Sequence, residues 1–321
     1  MKADQIETVS VFGGGNIGNG IVHSFAQAGI SVRVIDVDKR RLDACLSQVD
    51  ANLRLFREFG LLDEDPSSVT ARIAPVLAKD LPKAMKDCHF VVEAIPENLE
   101  LKKQLFAQLD SCPEDVILAS NTSSFPITDI AEGCRTAGRV IGLHYFNPAH
   151  IMPLVEIHYG PQTTLETIDS TKAFMLRVGK RPILVRKSIP GFVVNRIQAA
   201  IGREIDYLVS TGVVSPEDVD IATKASYGFR YANIGPYEFI DTAGLDLLFL
   251  VSSRLYGELS NATQPSAMWA EKVKRNELGM KTRHGWYDWS GKSALEFMDG
   301  QNRRLLKQLA LFESFEQGTN T

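Results

Sequence analysis

A histidine that closes one apolar run and a glutamate inside the next are the residues of this chain best suited to moving a proton. They lie in Gly142-Leu-His-Tyr-Phe-Asn-Pro-Ala-His-Ile-Met-Pro-Leu-Val-Glu156, with His144 and Glu156 12 residues apart. An imidazole near its reference pKa accepts a hydroxyl proton at neutral pH, provided that a partner fixes its tautomer and steadies the imidazolium. Glu156 has the right chemistry for that partner. Spacing alone leaves a second reading equally open: a core histidine and a buried structural acid.

The other chemical signal is Gly13-Gly-Gly-Asn-Ile-Gly18. Gly13, Gly15 and Gly18 meet the pattern G-x-G-x-x-G. The first permits a tight turn, the second lets backbone approach a pyrophosphate, and the third lets a helix pack on a strand. A helix opening at Asn16 and Ile17 would present free N–H groups and a partial positive charge to phosphates. Alone, the pattern also fits a glycine-rich connection with no ligand. Here it follows the β-prone run Val9-Ser-Val-Phe12 and opens a stretch with Ile17, Ile21, Val22 and Phe25 at helical spacing. It also precedes Asp36, which ends the run Val32-Arg-Val-Ile35. That context predicts a dinucleotide. Asp36 would accept hydrogen bonds from the ribose hydroxyls and repel a 2′-phosphate, so NAD is expected rather than NADP. The downstream Lys39-Arg-Arg41 reads either as a meeting point for a 2′-phosphate or as the solvated first turn of the next helix.

These residues need a scaffold, and the periodicity supplies one. Strand, glycine turn, helix, strand and terminal acid make one βαβ unit. A helical stretch over about 39–59 and a second running towards Leu81 predict an αα-hairpin inserted before the next strand. Short strands then recur at Phe90–Ala94, Val116–Ala119, Val140–Leu143, Leu154–Ile157 and Ile183–Val185. The fold class expected is α/β, a Rossmann-type, mostly parallel, doubly wound sheet. From Ser188-Ile-Pro-Gly191 onward long helical patterns take over, at about 192–210, 216–226, 236–256 and 267–276. The division expected is 1–187 for dinucleotide binding and 188–321 for a helical substrate and dimerisation domain, with a loose tail in the last few residues.

Bulk properties narrow the partners. A length of 321 residues suits two domains, and 44% apolar with 23% charged residues is an ordinary soluble balance. A net charge of -4 argues against a polyanion surface, so no nucleic-acid partner is expected. Cys45, Cys88, Cys112 and Cys134 lie far apart and form no C-x-x-C pair. No metal site is expected. Met1 to Thr8 has no apolar signal core and no run reaches membrane-span length, so the expectation is a cytoplasmic protein without a membrane partner.

Over nearly its whole length the chain resembles the 3-hydroxyacyl-CoA dehydrogenase family. The resemblance rests on Gly13 to Gly18, Val92-Glu-Ala-Ile-Pro-Glu-Asn98, Ser120-Asn-Thr-Ser-Ser124, His144 to Glu156, Pro190-Gly-Phe-Val-Val-Asn-Arg196 and Ile234-Gly-Pro-Tyr-Glu238. It implies an oxidoreductase that passes hydride from a 3-hydroxyl to NAD, with His144 as base and Glu156 as its orienting carboxylate. Ser123 and Asn195 match the pair that hydrogen-bonds the reacting oxygen. Glu97, Lys102 and Asn121 match cofactor contacts, Asn147 matches a residue of the nicotinamide pocket, and Lys281 one that closes over the cofactor. From the residues alone, Ser123 and Asn121 could be helix caps, Asn195 a helix-start hydrogen bond, and Lys102 a solvated helix lysine. The second domain resembles the family's dimerisation domain, which implies a homodimer.

The resemblance carries one departure. Acyl-CoA-handling members resemble one another in a lysine-rich inserted hairpin that faces the CoA phosphates. Here that stretch, Asn52-Leu-Arg-Leu-Phe-Arg-Glu-Phe-Gly-Leu-Leu-Asp-Glu-Asp65, offers Arg54 and Arg57 and then turns acidic. Its Phe-Arg-Glu-Phe-Gly-Leu-Leu ending, Pro153 and Tyr227-Gly-Phe-Arg-Tyr231 resemble instead the branch of gulonate dehydrogenase, lambda-crystallin and carnitine dehydrogenase, and bacterial neighbours acting on a pyridine carboxylate. The substrate expected is therefore a 3-hydroxyacyl-CoA or close analogue. The alternatives are a small free hydroxy acid, or a non-catalytic, crystallin-like NAD binder. Arg230 could grip a substrate carboxylate or make a domain-interface salt bridge, and His150 could line the pocket or lie on the surface. At Lys281-Thr-Arg-His-Gly-Trp-Tyr287, Arg283 and His284 stand where the family more often has Gly and Glu. His23, His89 and His158 read as structural.

Overall fold

A computed structural model describes residues 2–318, which fall into two compact units. One runs through Val193 and takes back Asn302–Leu311; the other holds Val194–Gln301 and the chain from Phe312 on. The first unit therefore closes with a piece of the C-terminal helix, which the linear division at 187 did not foresee.

The first unit opens with β1 (Thr8–Phe12), α1 (Asn16–Gln27), β2 (Ser31–Asp36) and α2 (Lys39–Glu58). It continues through α3 (Pro66–Thr70), β3 (Ile73–Leu77), α4 (Leu81–Met85), β4 (Phe90–Glu93), α5 (Leu99–Leu109) and β5 (Ile117–Ser120). Then come α6 (Ile127–Ile130), β6 (Val140–Tyr145), β7 (Leu154–His158), α7 (Leu165–Arg177) and β8 (Arg181–Val185). The eight strands form one sheet in the order β3-β2-β1-β4-β5-β6-β7-β8. Every neighbouring pair is parallel except β6 and β7. Strand order reverses between β1 and β4, which is where a doubly wound sheet opens its ligand crevice.

Alternation along the strands fills both faces of that sheet. Val9 and Val11 join Ile21, Phe25, Val32 and Val34 under α1 and α2, whereas Phe12 joins Ile35, Val91, Phe106 and Leu118 on the other face. Leu306 and Leu309, on the returning stretch of the last helix, complete the first of these cores. There Arg303 pairs with Glu58 at 2.5 Å and its guanidinium lies 5.9 Å over the Phe59 ring.

The inserted hairpin is shorter on its return leg than its periodicity suggests. α2 does run from Lys39 to Glu58, but the leg after Asp65 is only the five-residue α3 before the chain enters β3. Val69, Ile73, Val76 and Leu77 mimic helical spacing. Pro75 was the contrary signal: it has no N–H to continue a helix and is tolerated here because β3 is an edge strand.

The second unit comprises α8 (Val194–Ser210), α9 (Pro216–Ala225), α10 (Tyr227–Tyr231), α11 (Pro236–Ala243), α12 (Leu245–Leu255) and α13 (Ala267–Lys274). α14 (Ala294–Gly318) is the helix shared by both units. The single helix expected over 236–256 is two, because Gly244 at φ 101 takes a backbone conformation that no helix contains. α14 runs to Gly318, and what lies beyond, where a tail was expected, is outside the described residues.

Among the described residues no helix is long and apolar enough to cross a membrane. None of their His, Cys, Asp and Glu side chains gather into a group of three or more that could hold a metal ion.

Candidate active site

Antiparallel pairing of β6 with β7 sets His144 directly opposite Glu156. Twelve residues separate them in sequence because a compact loop joins the strands, passing through the cis Asn147–Pro148 bond. His144 Nδ1 stands 2.9 Å from Glu156 Oε2. An ionised carboxylate only accepts hydrogen bonds, so Nδ1 carries the proton and Nε2 is left as the basic nitrogen. The carboxylate is wholly buried and His144 nearly so. Its other oxygen, Oε1, accepts the backbone N–H of Val193 at 3.0 Å. Phe146 and Phe192 flank the imidazole, at ring separations of 4.6 and 5.6 Å. The ring can turn little without losing its carboxylate.

The loop after β5 carries the next group. Asn121 Oδ1 accepts the N–H of Tyr145, the residue after His144, at 2.8 Å, which ties this loop to the end of β6. Glu97 holds the turn from the other side. Its Oε1 accepts from Thr122 Oγ1 at 2.7 Å, Ser123 N at 2.9 Å, Ser124 N at 3.0 Å and Ser124 Oγ at 2.7 Å. Burial works to raise the carboxyl pKa, but the Thr122 and Ser124 hydrogen bonds and the Lys102 charge outweigh it and lower it to about 2. Glu97 is thus a brace for the turn that presents Ser123, whose own Oγ lies 3.4 Å from Glu97.

Lys102 is not the solvated helix lysine that its surroundings in sequence allow. It is buried on α5, with Nζ 2.6 Å from Glu93 Oε1 and 3.2 Å from Glu97 Oε2. Sequence reasoning missed Glu93 as a functional residue. It ends β4, is fully buried, and also accepts from Ser120 Oγ at 2.6 Å and Ile95 N at 2.8 Å. An acid at the end of the apolar run Phe90–Val92 was the available signal, since such a residue survives burial only with partners.

The glycine turn lies at the β1/β4 reversal. Gly13, at φ 104, approaches β4 so closely that a Cβ would fall 2.5 Å from the Ala94 carbonyl oxygen; one on Gly18 would fall 1.8 Å from that of Gly13. Around Gly15 a Cβ would meet nothing within 4 Å, and no side chain caps the α1 N-terminus that starts at Asn16 and Ile17. No packing reason inside the protein requires a glycine at 15, and its absent side chain leaves room for a ligand to approach the backbone. Asp36, at the end of β2, is oriented by Gly14 N at 3.0 Å and Asp38 N at 3.3 Å. Open cradle, uncapped helix and poised acid together fit a dinucleotide.

The remaining predicted residues are placed by the elements that carry them. His150 is neither a surface group nor a neighbour of the dyad's rings. It packs 5.3 Å from His23 and 5.9 Å from Phe56, between α1 and α2. Burial first, then the Lys180 charge, lowers its pKa to about 4. Asn147 is exposed on the loop between β6 and β7. Asn195 (first turn of α8), Arg230 (α10) and Lys281 (a 3-10 turn, Met280–Thr282) belong to the second unit. The Arg230 guanidinium lies 4.1 Å over the ring of Phe239 within the same unit. Lys281 is exposed, and Arg283 takes the left-handed φ of 67 where a glycine would be at ease.

Comparison with known proteins places the chain in a family. Residues 8–189 match the model of the 3-hydroxyacyl-CoA dehydrogenase NAD binding domain, and residues 191–289 that of the 3-hydroxyacyl-CoA dehydrogenase C-terminal domain. The chain is 30% identical over 313 residues to 5-formyl-3-hydroxy-2-methylpyridine 4-carboxylate 5-dehydrogenase of Mesorhizobium japonicum, covering 97% of this chain and 100% of that one. It is 34% identical over 285 residues to a 3-hydroxybutyryl-CoA dehydrogenase of Clostridioides difficile, covering 88% and 99%. Among solved structures, one of the pyridine carboxylate enzyme, described as an NAD+-dependent dismutase, superimposes with a TM-score of 0.88 at 29% identity, covering 96% of this chain and 99% of that one. The protein is an NAD-binding member of the 3-hydroxyacyl-CoA dehydrogenase family.

Proposed function

We propose that the protein oxidises a secondary hydroxyl to a carbonyl, with His144 as the base. The observation that carries this is the buried 2.9 Å contact of His144 Nδ1 with Glu156. NAD, when bound to the Gly13–Gly18 turn and Asp36, supplies the acceptor for a hydride. His144 Nε2 takes the hydroxyl proton, and Glu156 stabilises the imidazolium that results. Ser123 and Asn195 are the proposed hydrogen-bond donors to the oxygen as it becomes a carbonyl. Asn121, Glu97 and Lys102 hold the loop beside the cofactor, and Asn147 and Lys281 are proposed to line and close its site.

The substrate reading we favour is a small free hydroxy acid. Between Asn52 and Asp65, the stretch that resembles the lysine-rich hairpin of acyl-CoA-handling members, the chain has Arg54 and Arg57, no lysine, and the acids Glu58, Asp63, Glu64 and Asp65. Both arginines are engaged: Arg54 grips Asp50 at 2.8 Å and Arg57 grips Asp65 at 2.8 Å. Exposed pairs of this kind are weak, but with both arginines so engaged the stretch 52–65 has no lysine to offer a CoA pyrophosphate or 3′-phosphate. Arg230, whose guanidinium has no carboxylate partner among the described residues, is the proposed anchor for a substrate carboxylate. With NAD and a panel of hydroxy acids and 3-hydroxyacyl-CoAs, followed by NADH absorbance, kcat/KM is expected to be at least about tenfold higher for a free acid, the ratio that 1.4 kcal/mol provides. The opposite preference restores the CoA reading, and NAD binding without turnover of any of them leaves a non-catalytic, crystallin-like role.

We further propose a homodimer through the second unit. None of the residues of α8 to α13 is buried, and seven of the eleven residues of α12 are apolar. Phe249 is 76% and Tyr237 82% exposed. A monomer rarely exposes so many large apolar side chains along one run of helices. A second copy of the same unit supplies the missing half of the core. Sedimentation is expected to give a dimer at micromolar concentration; a stable monomer there contradicts it.

A further inference from the structure

One histidine beside the dyad has no part in the chemistry above. His158 sits opposite Gly142, two register positions from the His144–Glu156 pair. Residues two apart on a strand share a face, so His158 and Glu156 project from the same side of β7. The His158 ring lies across the Gly142 backbone: a Cβ there would fall 2.1–2.3 Å from three of its atoms. On its other side the ring stacks on Phe192, with centroids 4.0 Å apart and planes 29° from parallel.

Phe192 itself is buried at φ 48, a left-handed conformation that a bulky residue keeps only where its surroundings hold it. The next residue is Val193, whose N–H reaches Glu156 Oε1 at 3.0 Å. Glu156 Oε2 in turn orients His144. A chain of contacts therefore runs from His158 through Phe192 and Val193 to Oε1 of the carboxylate whose Oε2 orients His144. Burial, and then the neighbouring His144, lowers the His158 pKa to about 4. Its ring is neutral in the working range and adds no like charge beside an imidazolium. Neither ring nitrogen has a partner in good hydrogen-bond geometry, the Thr122 carbonyl being the near polar group. A buried imidazole so poorly satisfied needs a reason, and the plate it offers Phe192 is one.

We infer that His158 is a positioning residue of the dyad, the surface on which Phe192 rests so that the Val193 amide holds Glu156 in place. The inference depends on the proposed role of His144. Its test is a set of substitutions in the full-length protein, read as kcat, substrate KM and NAD Kd separately. His158→Ala is expected to lower kcat about 10- to 100-fold, the scale of a small misplacement of catalytic groups, with KM and Kd within about threefold of wild type. His158→Phe, which keeps a flat plate, retains at least about a third of wild-type kcat. Phe192→Ala reproduces the loss, and combining it with His158→Ala adds little, because both remove one device. Wild-type kcat in His158→Ala overturns the inference, as does rescue by His158→Asn but not by His158→Phe. Equal losses in kcat, KM, Kd and thermal stability also overturn it, because they mark a merely structural residue. If His144→Gln stays active, the dyad itself is misassigned; if that variant is dead while His158→Ala is normal, only the positioning role fails.

Discussion

Replacing His144 with glutamine is expected to lower kcat by about 10³-fold, within the range that a positioned general base contributes. Glutamine is the informative substitution because of what lies behind the imidazole. Glu156 is wholly buried, and alanine at 144 would take a donor from its Oε2, adding a folding defect to a chemical one. The amide of glutamine can still donate to that oxygen but cannot take a proton from a hydroxyl. NAD affinity should stay near wild type, because the glycine turn and Asp36 lie on β1, α1 and β2, away from the β6–β7 pair. Glu156→Gln should cost at least as much, about 10³- to 10⁴-fold, since it removes the charge that steadies the imidazolium and its amide can donate to Nδ1, which puts the ring proton on Nε2. Stopped-flow measurement of a single turnover with NAD prebound isolates the step. Retention of more than about a tenth of wild-type rate in His144→Gln would sink the assignment.

The dyad was legible because a strand pair converts spacing into contact. Two residues 12 apart, one ending a strand and one in the next, face each other when the strands are antiparallel and the loop is compact. The βαβ unit was legible for a similar reason: glycines, helix and acid all lie within 24 residues, Gly13 to Asp36, and local rules govern them. What escaped was non-local. β3 was hidden by apolar spacing that fits helix and edge strand alike, and only its pairing with β2 decides between them. Glu93 meets Lys102 and Ser120, 9 and 27 residues away, and nothing in the run Phe90–Glu93 names either partner. His158 and His150 depend on packing against rings remote in the chain, Phe192 for one and His23 and Phe56 for the other. The exposed faces of the second unit were visible as amphipathic helices, but amphipathicity does not say what covers a face.

Lys102→Met is expected to destabilise the first unit by about 3–5 kcal/mol, the cost of breaking one side of a buried ion pair. Lys102 and Glu93 are both essentially excluded from solvent and 2.6 Å apart. Without the ammonium, Glu93 keeps only Ser120 Oγ and Ile95 N as donors, and its charge has no counter-ion. The consequence should reach the cofactor crevice. Ile95 follows Ala94, whose carbonyl abuts Gly13, and Ser120 precedes Asn121, which ties the loop to Tyr145. NAD should therefore bind more weakly in Lys102→Met, although no proposed contact of the glycine turn has been altered. Adding Glu93→Gln removes the stranded charge and should restore more than half of the lost stability, because a neutral buried pair carries far less desolvation cost. Urea unfolding of the three variants beside wild type measures this, with NAD titration of each. A single-variant loss below about 1 kcal/mol would mean that water or backbone relaxation already solvates Glu93. Failure of the double variant to recover would place the cost in lost packing of the long lysine stem rather than in charge.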